Sequence, residues 1–250
     1  MRTGSFRRPL LLTCLPALLA TITLTAQADR RGLSLSQTRV VFNAAASSVT
    51  ISLRNHGDRP WLIRAQSRAT PDGTQAAPFM VTPPLFRLEP NSQSAIRILR
   101  QGTEALPTDR ESVFYLSFLA IPSSPKRGTE NAAAVSAQVT VGVDTVIKLF
   151  YRPAGLALTP QAAAAALTVH LQGNGVAVSN PTPYYQTLAT FILDGKPLAT
   201  RETGSMIAPF GSRVYAAHGQ PRQASWSVLN DHGGTSPVYQ TTVHYGELPQ

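Results

Sequence analysis

The side chains in this sequence most able to do chemistry are five histidines and one cysteine. The histidines stand singly, so none forms the H-x-x-x-H or H-E-x-x-H spacing that would place two imidazoles on one metal ion. They are His56, His170, His218, His232 and His244. The cysteine, Cys14, lies in an N-terminal apolar run, and there is no G-x-S-x-G elbow, P-loop or dinucleotide-binding glycine pattern. The sequence therefore indicates no enzyme, no metal site and no cofactor.

The most unusual stretch is 139-VTVGVDTVIKLFYRP-153. Because strand side chains alternate between two faces, one face is apolar from Val139 to Tyr151 apart from Thr145. At ~3.3 Å per residue such a strand would extend about 40 Å, whereas most strands have only about 3–10 residues. The pattern predicts a long strand over 139–151, with Lys148 late in the strand on the opposite face.

The first 28 residues have the features of a secretory signal peptide. A basic start is followed by an apolar run, Leu10 to Leu24, and by Ala26-Gln27-Ala28 as a cleavage site. A lipoprotein is disfavoured, because Thr13 precedes Cys14 and the cysteine lies midway along the apolar run. The mature chain would lack cysteine, and export without disulfides fits a periplasm. No later segment is apolar enough to insert into a membrane.

The charge of the mature chain is moderately basic, with 19 Lys and Arg against 13 Asp and Glu. The arginines are scattered rather than grouped with aromatic residues, so a nucleic-acid partner is not expected. The length of the mature chain is sufficient for two domains of ordinary size.

Short alternating or β-branched runs recur through the first half of the mature chain, separated by turn residues such as Pro71-Asp72-Gly73. These runs are 33–42, 48–55, 61–67, 94–100, 113–121 and 139–151. Their number and spacing predict a β-sandwich of immunoglobulin type. Pro153 then interrupts the pattern, because proline cannot donate a hydrogen bond to a central ladder.

A second set of strand-like runs follows Pro153, so the predicted fold class is all-β with two sandwiches. The runs are 156–159, 167–171, 175–180, 187–195, 213–217, 225–230 and 237–246. The one helical candidate, 160-PQAAAAAL-167, is short enough to be either a spacer or a single helical turn. We expect a signal peptide over 1–28, an N-terminal domain over 29–153 and a C-terminal domain over 154–250.

The sequence resembles the periplasmic pilus and fimbrial assembly chaperones, a family with two immunoglobulin-like domains in an L-shaped (boomerang) arrangement. The matching segments are 38-TRVVF-42, 82-TPPLFRLEP-90, 106-LPTDRESVFYLSFLAIP-122, 147-IKLFYRP-153, 181-PTPYY-185 and 229-LNDHGG-234. One departure from the family pattern is Ser117, which stands where asparagine is usual.

The resemblance implies a chaperone that binds, folds and caps pilus or fimbrial subunits by donor-strand complementation and delivers them to an outer-membrane usher. Such subunits lack the last strand of their own immunoglobulin-like fold, and the chaperone lends one of its strands. The donor here would be 139–150, with Val139, Val141 and Val143 entering the subunit's groove. The resemblance also implies self-association through the same edge when no subunit is bound.

The same resemblance implies roles for two sets of charged residues. Arg39 and Lys148 would hold the subunit's C-terminal carboxylate in the cleft between the domains, through charge-assisted hydrogen bonds. A fixed carboxylate would set the register, since a slip of one residue turns every valine to the wrong face. Glu111, Arg152 and Asp231 would orient the two domains, because one arginine fork can satisfy two carboxylates.

Two other functions fit the sequence less well. A two-domain periplasmic module that binds carbohydrate or protein would need a concave aromatic cluster. Trp61 and Trp226 are instead far apart in sequence and flanked by strand-like residues, so we expect both in cores. A hydrolase on a sandwich scaffold lacks every motif expected of it.

Overall fold

The computed structural model describes residues 32–103, 105–123, 140–200, 203–217 and 219–245. The predicted signal peptide, residues 1–28, lies outside the described residues, and so does Val139 of the predicted donor strand. Within the described part of the chain, no helix is long and apolar enough to cross a lipid bilayer.

Nearly all of the regular structure is β-strand, so the predicted all-β class is confirmed. In chain order the elements are β1 (Leu33–Leu35), β2 (Arg39–Asn43), β3 (Ser48–Asn55), β4 (Trp61–Arg68), β5 (Phe79–Thr82), β6 (Leu85–Leu88), β7 (Gln93–Arg100), β8 (Ser112–Pro122), β9 (Val143–Arg152), α1 (Pro160–Ala165), β10 (Thr168–Gln172), β11 (Gly175–Ser179), β12 (Gln186–Leu193), β13 (Lys196–Pro197), β14 (Met206–Ile207), β15 (Ser212–Ala216), β16 (Gln223–Val228) and β17 (Tyr239–Thr242).

The first sandwich packs a four-stranded sheet, in the order β1-β3-β7-β5, against a five-stranded sheet, in the order β2-β9-β8-β4-β6. The period-2 pattern of the sequence places one face of each strand in the core. In β4, for example, Ile63 and Ala65 are buried whereas Leu62 and Arg64 are exposed. Ile96 of β7, together with core residues of the facing sheet, is fully buried in the same cluster.

One predicted strand, 33–42, is wrong as a single element, because the chain changes sheets within it. β1 pairs with β3 in one sheet, and β2 pairs with β9 in the other. The polar residues between them make the crossing, and Ser36 N–H donates to Ser52 C=O at 2.9 Å. The apolar positions change parity at the crossing, from Leu33 and Leu35 to the buried Val40 and Phe42, so the change of sheet has a trace in the sequence.

The predicted long strand over 139–151 is shorter in the structure. β9 begins at Val143, and the described residues 140–142 are not in a strand. The pairing of β9 with β8 ends at Val143 opposite Ala120. Gly142 stands just before this point, and glycine favours the extended strand conformation weakly.

The second sandwich packs the sheet β10-β11-β15 against a sheet in the order β13-β12-β16-β17, with β14 beside β12. Its core contains Val176, Phe191, Tyr215 and Trp226, all nearly inaccessible to solvent. Trp226 was expected in a core, and its indole N–H donates to Ala164 C=O at 3.0 Å. The indole thereby satisfies a carbonyl near the C-terminal end of α1.

The helical candidate forms a helix of one and a half turns rather than a spacer. Thr159 is the N-cap of α1, and its hydroxyl accepts from Ala162 N–H at 3.2 Å. Pro160 occupies the first turn, where the lack of an N–H group costs nothing. The strand predicted over 156–159 is therefore wrong, because these residues lead into the helix.

Candidate functional site

The first half of β9 is a strand with a free edge. β2 pairs with β9 in parallel, but this ladder begins with Arg39 opposite Lys148 and runs to Arg152. Residues 143–147 therefore pair with β8 on one side only, among the described residues. We call residues 143–147 the open edge. Unpaired N–H and C=O groups on such an edge are a template for another strand.

Exposure along β9 changes sharply at the point where the second partner strand begins. Val143 is 54% exposed, and Val141, just before the strand, is 69% exposed. Ile147 is 8% exposed and Leu149 is fully buried in the first core. These four residues share one parity, so one face of the segment changes from solvent to core within nine residues.

The open edge borders an apolar groove in the first sandwich. The groove has a volume of about 430 Å³ and lies between β1 and β9. Val143, Thr145 and Ile147 line one side of it, and Leu33 and Leu35 line the other. A strand that pairs with the open edge would thus meet apolar side chains as well as unpaired backbone groups.

Arg39 and Lys148 are directly opposite each other in the β2–β9 ladder. Arg39 is only 8% exposed. Its Nη1 donates to Leu229 C=O at 3.3 Å, and its guanidinium lies 5.8 Å from the ring centroid of Phe150. Its Nε is buried without a hydrogen-bond partner in the described chain. A buried unsatisfied donor is costly, so an acceptor that reached this group would stabilise the site.

Both cations are destabilised by their surroundings. Burial lowers the pKa of Lys148, and the neighbouring positive charge of Arg39 lowers it further. Burial also lowers the pKa of Arg39, although the charges of Asp231 and Glu111 oppose that shift. Neither cation forms an ion pair within the described residues, so a bound anion would relieve both penalties.

Glu111, Arg152 and Asp231, which we call the charge cluster, form an ion-paired network between the two sandwiches. Arg152 Nε donates to Glu111 Oε1 at 2.7 Å. The two Nη groups of Arg152 donate to the Asp231 carboxylate at 2.7 and 2.8 Å. Tyr185 N–H donates to Glu111 Oε2 at 2.8 Å. The first sandwich is thereby joined to loops of the second through the Arg152 guanidinium and the Glu111 carboxylate.

Burial and ion pairing shift the pKa values of the charge cluster in opposite directions. Burial raises the pKa of Glu111, whose side chain is only 2% exposed, and Arg152 offsets this shift in part. Burial also opposes ionisation of Asp231, but hydrogen bonds and the charge of Arg152 outweigh it, so the pKa of Asp231 is lowered. The hydrogen bonds and charges of both carboxylates likewise outweigh burial and raise the pKa of Arg152.

The loop that carries Asp231 approaches the first sandwich closely. Gly233 has a φ of 83°, which favours glycine, and a Cβ atom there would collide with Thr38 Oγ1. Asn230 holds the turn, because its side-chain oxygen accepts from His232 N–H and Gly234 N–H at 3.0 and 2.9 Å. The segment 229–234 thus lies against the residue before β2 and presents Asp231 to Arg152 of β9.

These elements enclose a cleft of about 210 Å³. Its walls include Arg39, Arg152, Tyr184 and Asp231, but not Lys148. The sequence indicated 181-PTPYY-185 only as a matching segment and assigned it no role. In the structure the Arg152 guanidinium lies 5.1 Å from the ring centroid of Tyr184. The described residues contain no group of three or more His, Cys, Asp or Glu side chains suited to a metal ion.

Two family models cover most of the described chain. The model described as "Pili and flagellar-assembly chaperone, PapD N-terminal domain" matches residues 32–157. The model described as "Pili assembly chaperone PapD, C-terminal domain" matches residues 162–240. The chain belongs to the PapD-like family of pilus assembly chaperones.

Curated relatives of this chaperone extend over nearly its whole length. Chaperone protein FimB/FhaD of Bordetella pertussis is 36% identical over 228 residues, which is 87% of this chain and 91% of the relative. The probable fimbrial chaperone protein ElfD of Escherichia coli K12 is 34% identical over 237 residues, which is 90% of this chain and 97% of the relative.

Solved structures show the same two-domain, all-β fold. The E. coli chaperone DraB is 37% identical and superimposes with a TM-score of 0.74, covering 85% of this chain and 96% of DraB. A chain of the complex of Salmonella enterica SafA pilin with the SafB chaperone is 32% identical, with a TM-score of 0.73 and the same two coverages.

Arg152→Ala should destabilise the isolated chaperone. The change leaves the buried Glu111 carboxylate and the Asp231 carboxylate without their cation, and breaking a buried pair costs about 3–5 kcal/mol. The lower end applies, because the Asp231 side chain is 36% exposed. Thermal and urea unfolding measure the loss. Arg87→Ala is the control, since it breaks an ion pair of the same 2.7 Å length between two exposed side chains. Equal stability of the two variants would contradict the network.

Asp231→Asn should destabilise the chaperone at neutral pH and less so in acid. The pKa of Asp231 is lower in the folded state, so its stabilising contribution is present above the unfolded value of about 3.9 and is lost as the pH falls through the folded value. Burial and Arg152, the largest causes of the pKa shift of Glu111, are the same in both proteins, and only the smaller part caused by the charge of Asp231 is lost in the variant. Urea unfolding from pH 7 to pH 3 should show the two stability curves converging. Curves that stay parallel would mean that Asp231 does not stabilise the fold through its charge.

Proposed function

We propose that this protein is a periplasmic chaperone that lends the open edge to pilus or fimbrial subunits as their missing strand. In the proposal, Arg39 and Lys148 bind the subunit's C-terminal carboxylate, and the loaded chaperone delivers the subunit to an outer-membrane usher. The observation that carries the proposal is the junction in β9, where a free strand edge meets two adjacent unpaired cations.

Strand addition is the interaction that the open edge is suited to make. A subunit without its last strand has a groove lined by apolar side chains and unpaired backbone groups. Pairing along the open edge would satisfy both sets of backbone groups, and it would cover the exposed side chains of Val141 and Val143. Val139 belongs to the proposed donor segment by alternation, although it lies outside the described residues.

The charges at the junction fit one carboxylate. Arg39, Lys148 and Arg152 carry three positive charges, and Glu111 and Asp231 carry two negative charges. The five side chains therefore carry one net positive charge. Arg152 forms ion pairs with both carboxylates, so the two cations without an ion pair are Arg39 and Lys148. A single carboxylate would neutralise the net charge through charge-assisted hydrogen bonds, one of them from the unpaired Nε of Arg39.

The remaining parts of the proposal concern organisation and location. The N-terminal domain would extend over residues 29–153 and the C-terminal domain over 154–250, with the charge cluster setting the angle between them. Residues 1–28 would direct export to the periplasm. The protein would act by binding rather than by catalysis, and a free chaperone would associate with itself through the open edge.

Co-purification tests the proposal directly. The full-length chain is expressed with its signal peptide and an affinity tag after Gln250, and periplasmic complexes are isolated and identified by mass spectrometry. We expect a subunit with alternating apolar residues near its C-terminus, in a 1:1 complex. Recovery of carbohydrate, or of no pilin-like protein from a strain that assembles fimbriae, would refute the proposal.

Lys148→Met should abolish subunit binding without harming the fold. Methionine keeps the aliphatic stem and removes a charge that the surroundings already disfavour. The melting temperature should therefore stay the same or rise slightly, while the yield of complex falls sharply. Lys196→Met removes an exposed lysine of the second sandwich and serves as the control. Wild-type yield from Lys148→Met would contradict the anchor. Arg39→Ala is a less selective test, because Arg39 is buried rather than exposed.

Val141→Asp should also separate folding from binding. The side chain of Val141 is 69% exposed in the free chaperone, so a carboxylate there stays solvated and the melting temperature should hardly change. In the complex the same carboxylate would enter an apolar groove, and capture should be lost. Leu149→Asp is the matched control on the same face, and it should unfold the protein because Leu149 is fully buried. A collapsed melt of Val141→Asp, or normal capture by it, would refute the donor assignment.

A further inference from the structure

Asp144 is a carboxylate within the open edge, in a segment otherwise suited to apolar partners. It lies on the opposite face from Val143 and Thr145 and on the same face as Lys148. Its Oδ1 accepts from Ser117 Oγ at 2.6 Å. Its Oδ2 accepts from Arg68 Nη2 at 3.0 Å. One carboxylate therefore uses both of its oxygens in the same sheet.

The three residues come from three adjacent strands. Arg68 belongs to β4, Ser117 to β8 and Asp144 to β9, in the order β9-β8-β4. The register places Leu119 opposite Asp144 and Ser117 opposite Val146, so Ser117 and Asp144 are diagonal neighbours. The bond to Arg68 spans β8 completely and links β9 to a strand with which it does not pair.

This network is partly shielded from water. Ser117 is 1% exposed, and the side chains of Arg68 and Asp144 are 14% and 31% exposed. The Arg68 guanidinium is itself held, since Nη1 donates to Pro71 C=O at 3.3 Å. With its amide turned to satisfy both groups, Gln66 accepts from Arg68 Nε at 2.7 Å. These bonds orient the Arg68 guanidinium independently of Asp144.

The network lies at the end of the open edge that is most prone to fray, and this location gives it its importance. The open edge has ladder hydrogen bonds on one side only, and it begins at a glycine-containing segment without strand structure. A strand end with one partner frays more readily than a strand between two partners. Asp144 is the second residue of β9, so its bonds act at the end that is most prone to open.

We propose that Asp144, Ser117 and Arg68 form a clamp that keeps the open edge extended and in register before a subunit binds. The inference rests on the proposed function, and it assigns these three residues as positioning residues for strand donation. A pre-ordered edge avoids the entropy cost of ordering a frayed strand during capture. The clamp therefore acts on the rate of association, whereas the Arg39–Lys148 pair acts on the lifetime of the complex.

Amide hydrogen exchange on the free chaperone tests the clamp without any subunit. Asp144→Ala should speed exchange in peptides covering residues 143–147 by about 10-fold, while peptides from the middle of β8 stay unchanged. Asp144→Asn keeps an acceptor for Ser117 and should give a smaller effect. The control is Asp109→Ala, which breaks an exposed ion pair with Arg110. Unchanged exchange over 143–147, or faster exchange throughout the first sandwich, would overturn the clamp.

A charge reversal distinguishes the clamp from a general effect of removing an acidic group. Arg68→Asp alone should speed exchange at the open edge, because two carboxylates would then face each other. Combining it with Asp144→Arg should restore slow exchange, since Ser117 Oγ can accept from an arginine as well as donate to a carboxylate. Failure of the double variant to slow exchange relative to both single variants would overturn the pairing.

Association kinetics test the functional half of the inference. The probe is the subunit recovered with the wild-type chaperone in the co-purification, presented as denatured chain diluted into chaperone. Asp144→Ala should lower the association rate by about 10-fold and leave dissociation nearly unchanged. An unchanged association rate would overturn the positioning role even if exchange is faster. If the wild-type chaperone captures no subunit at all, the proposed function fails, whereas the exchange result still decides whether the clamp exists.

Discussion

The fold depends on a mismatch in length between two paired strands. β9 extends from Val143 to Arg152, but β2 accompanies it only from Lys148 onward. The mismatch arises because the chain preceding β2 belongs to the other sheet, where β1 pairs with β3. Had the residues before Arg39 continued along β9, the ladder would be complete and the groove beside β1 would be closed. Crossing between the sheets just before Arg39 therefore creates the open edge and ends it at the cationic pair.

Arg39 and Lys148 remain without an ion-pair partner in the described chain because the two nearby carboxylates are paired with Arg152. Arg152 alone satisfies Glu111 and Asp231, so neither carboxylate forms an ion pair with Arg39. If Asp231 were free to turn toward Arg39, the cation would be neutralised from within and would attract no external anion. The charge cluster thus fixes the contact between the sandwiches, and it also keeps two carboxylates from competing for the anchor. The short bonds of Arg152 and the single carbonyl contact of Arg39 reflect this division.

The secondary-structure elements that depend on a local residue pattern could be predicted from the sequence. Alternation identified most of the longer strands, and a proline followed by alanines gave the one helical candidate, for which the sequence left a spacer equally open. The prediction of one strand was wrong at residues 36–38, where three polar residues in a row separate two strands that belong to different sheets. The short strands β5 and β6, on either side of Pro83-Pro84, carry too few residues for a pattern to emerge.

The predicted site likewise depends on tertiary contacts that a local sequence pattern does not show. Arg39 and Lys148 are more than a hundred residues apart, and only the parallel pairing of β2 with β9 makes them neighbours. Their proposed pairing came from a family resemblance, because no local signal identifies a parallel partner. The burial of Arg39 could not be predicted from the sequence, since it depends on Phe150 and on a carbonyl of the second sandwich. The contacts of Asp144 require the register of three strands, which a sequence pattern does not specify.

The two faces of β9 differ in residue type and in exposure, and this difference explains how one strand serves both folding and binding. On the face of Val143 and Leu149 the residue type stays apolar while the surroundings change from solvent to core. On the other face two polar residues flank Val146, with Asp144 near the start of the open edge and Lys148 directly after its end. A shift of one residue would move Lys148 into the first core and Leu149 out of it, so the packed half of β9 enforces the register of the unpaired half. Register in the open edge is therefore secured by core burial at one end and by the clamp at the other, and the outward backbone groups of residues 143–147 are left available for pairing.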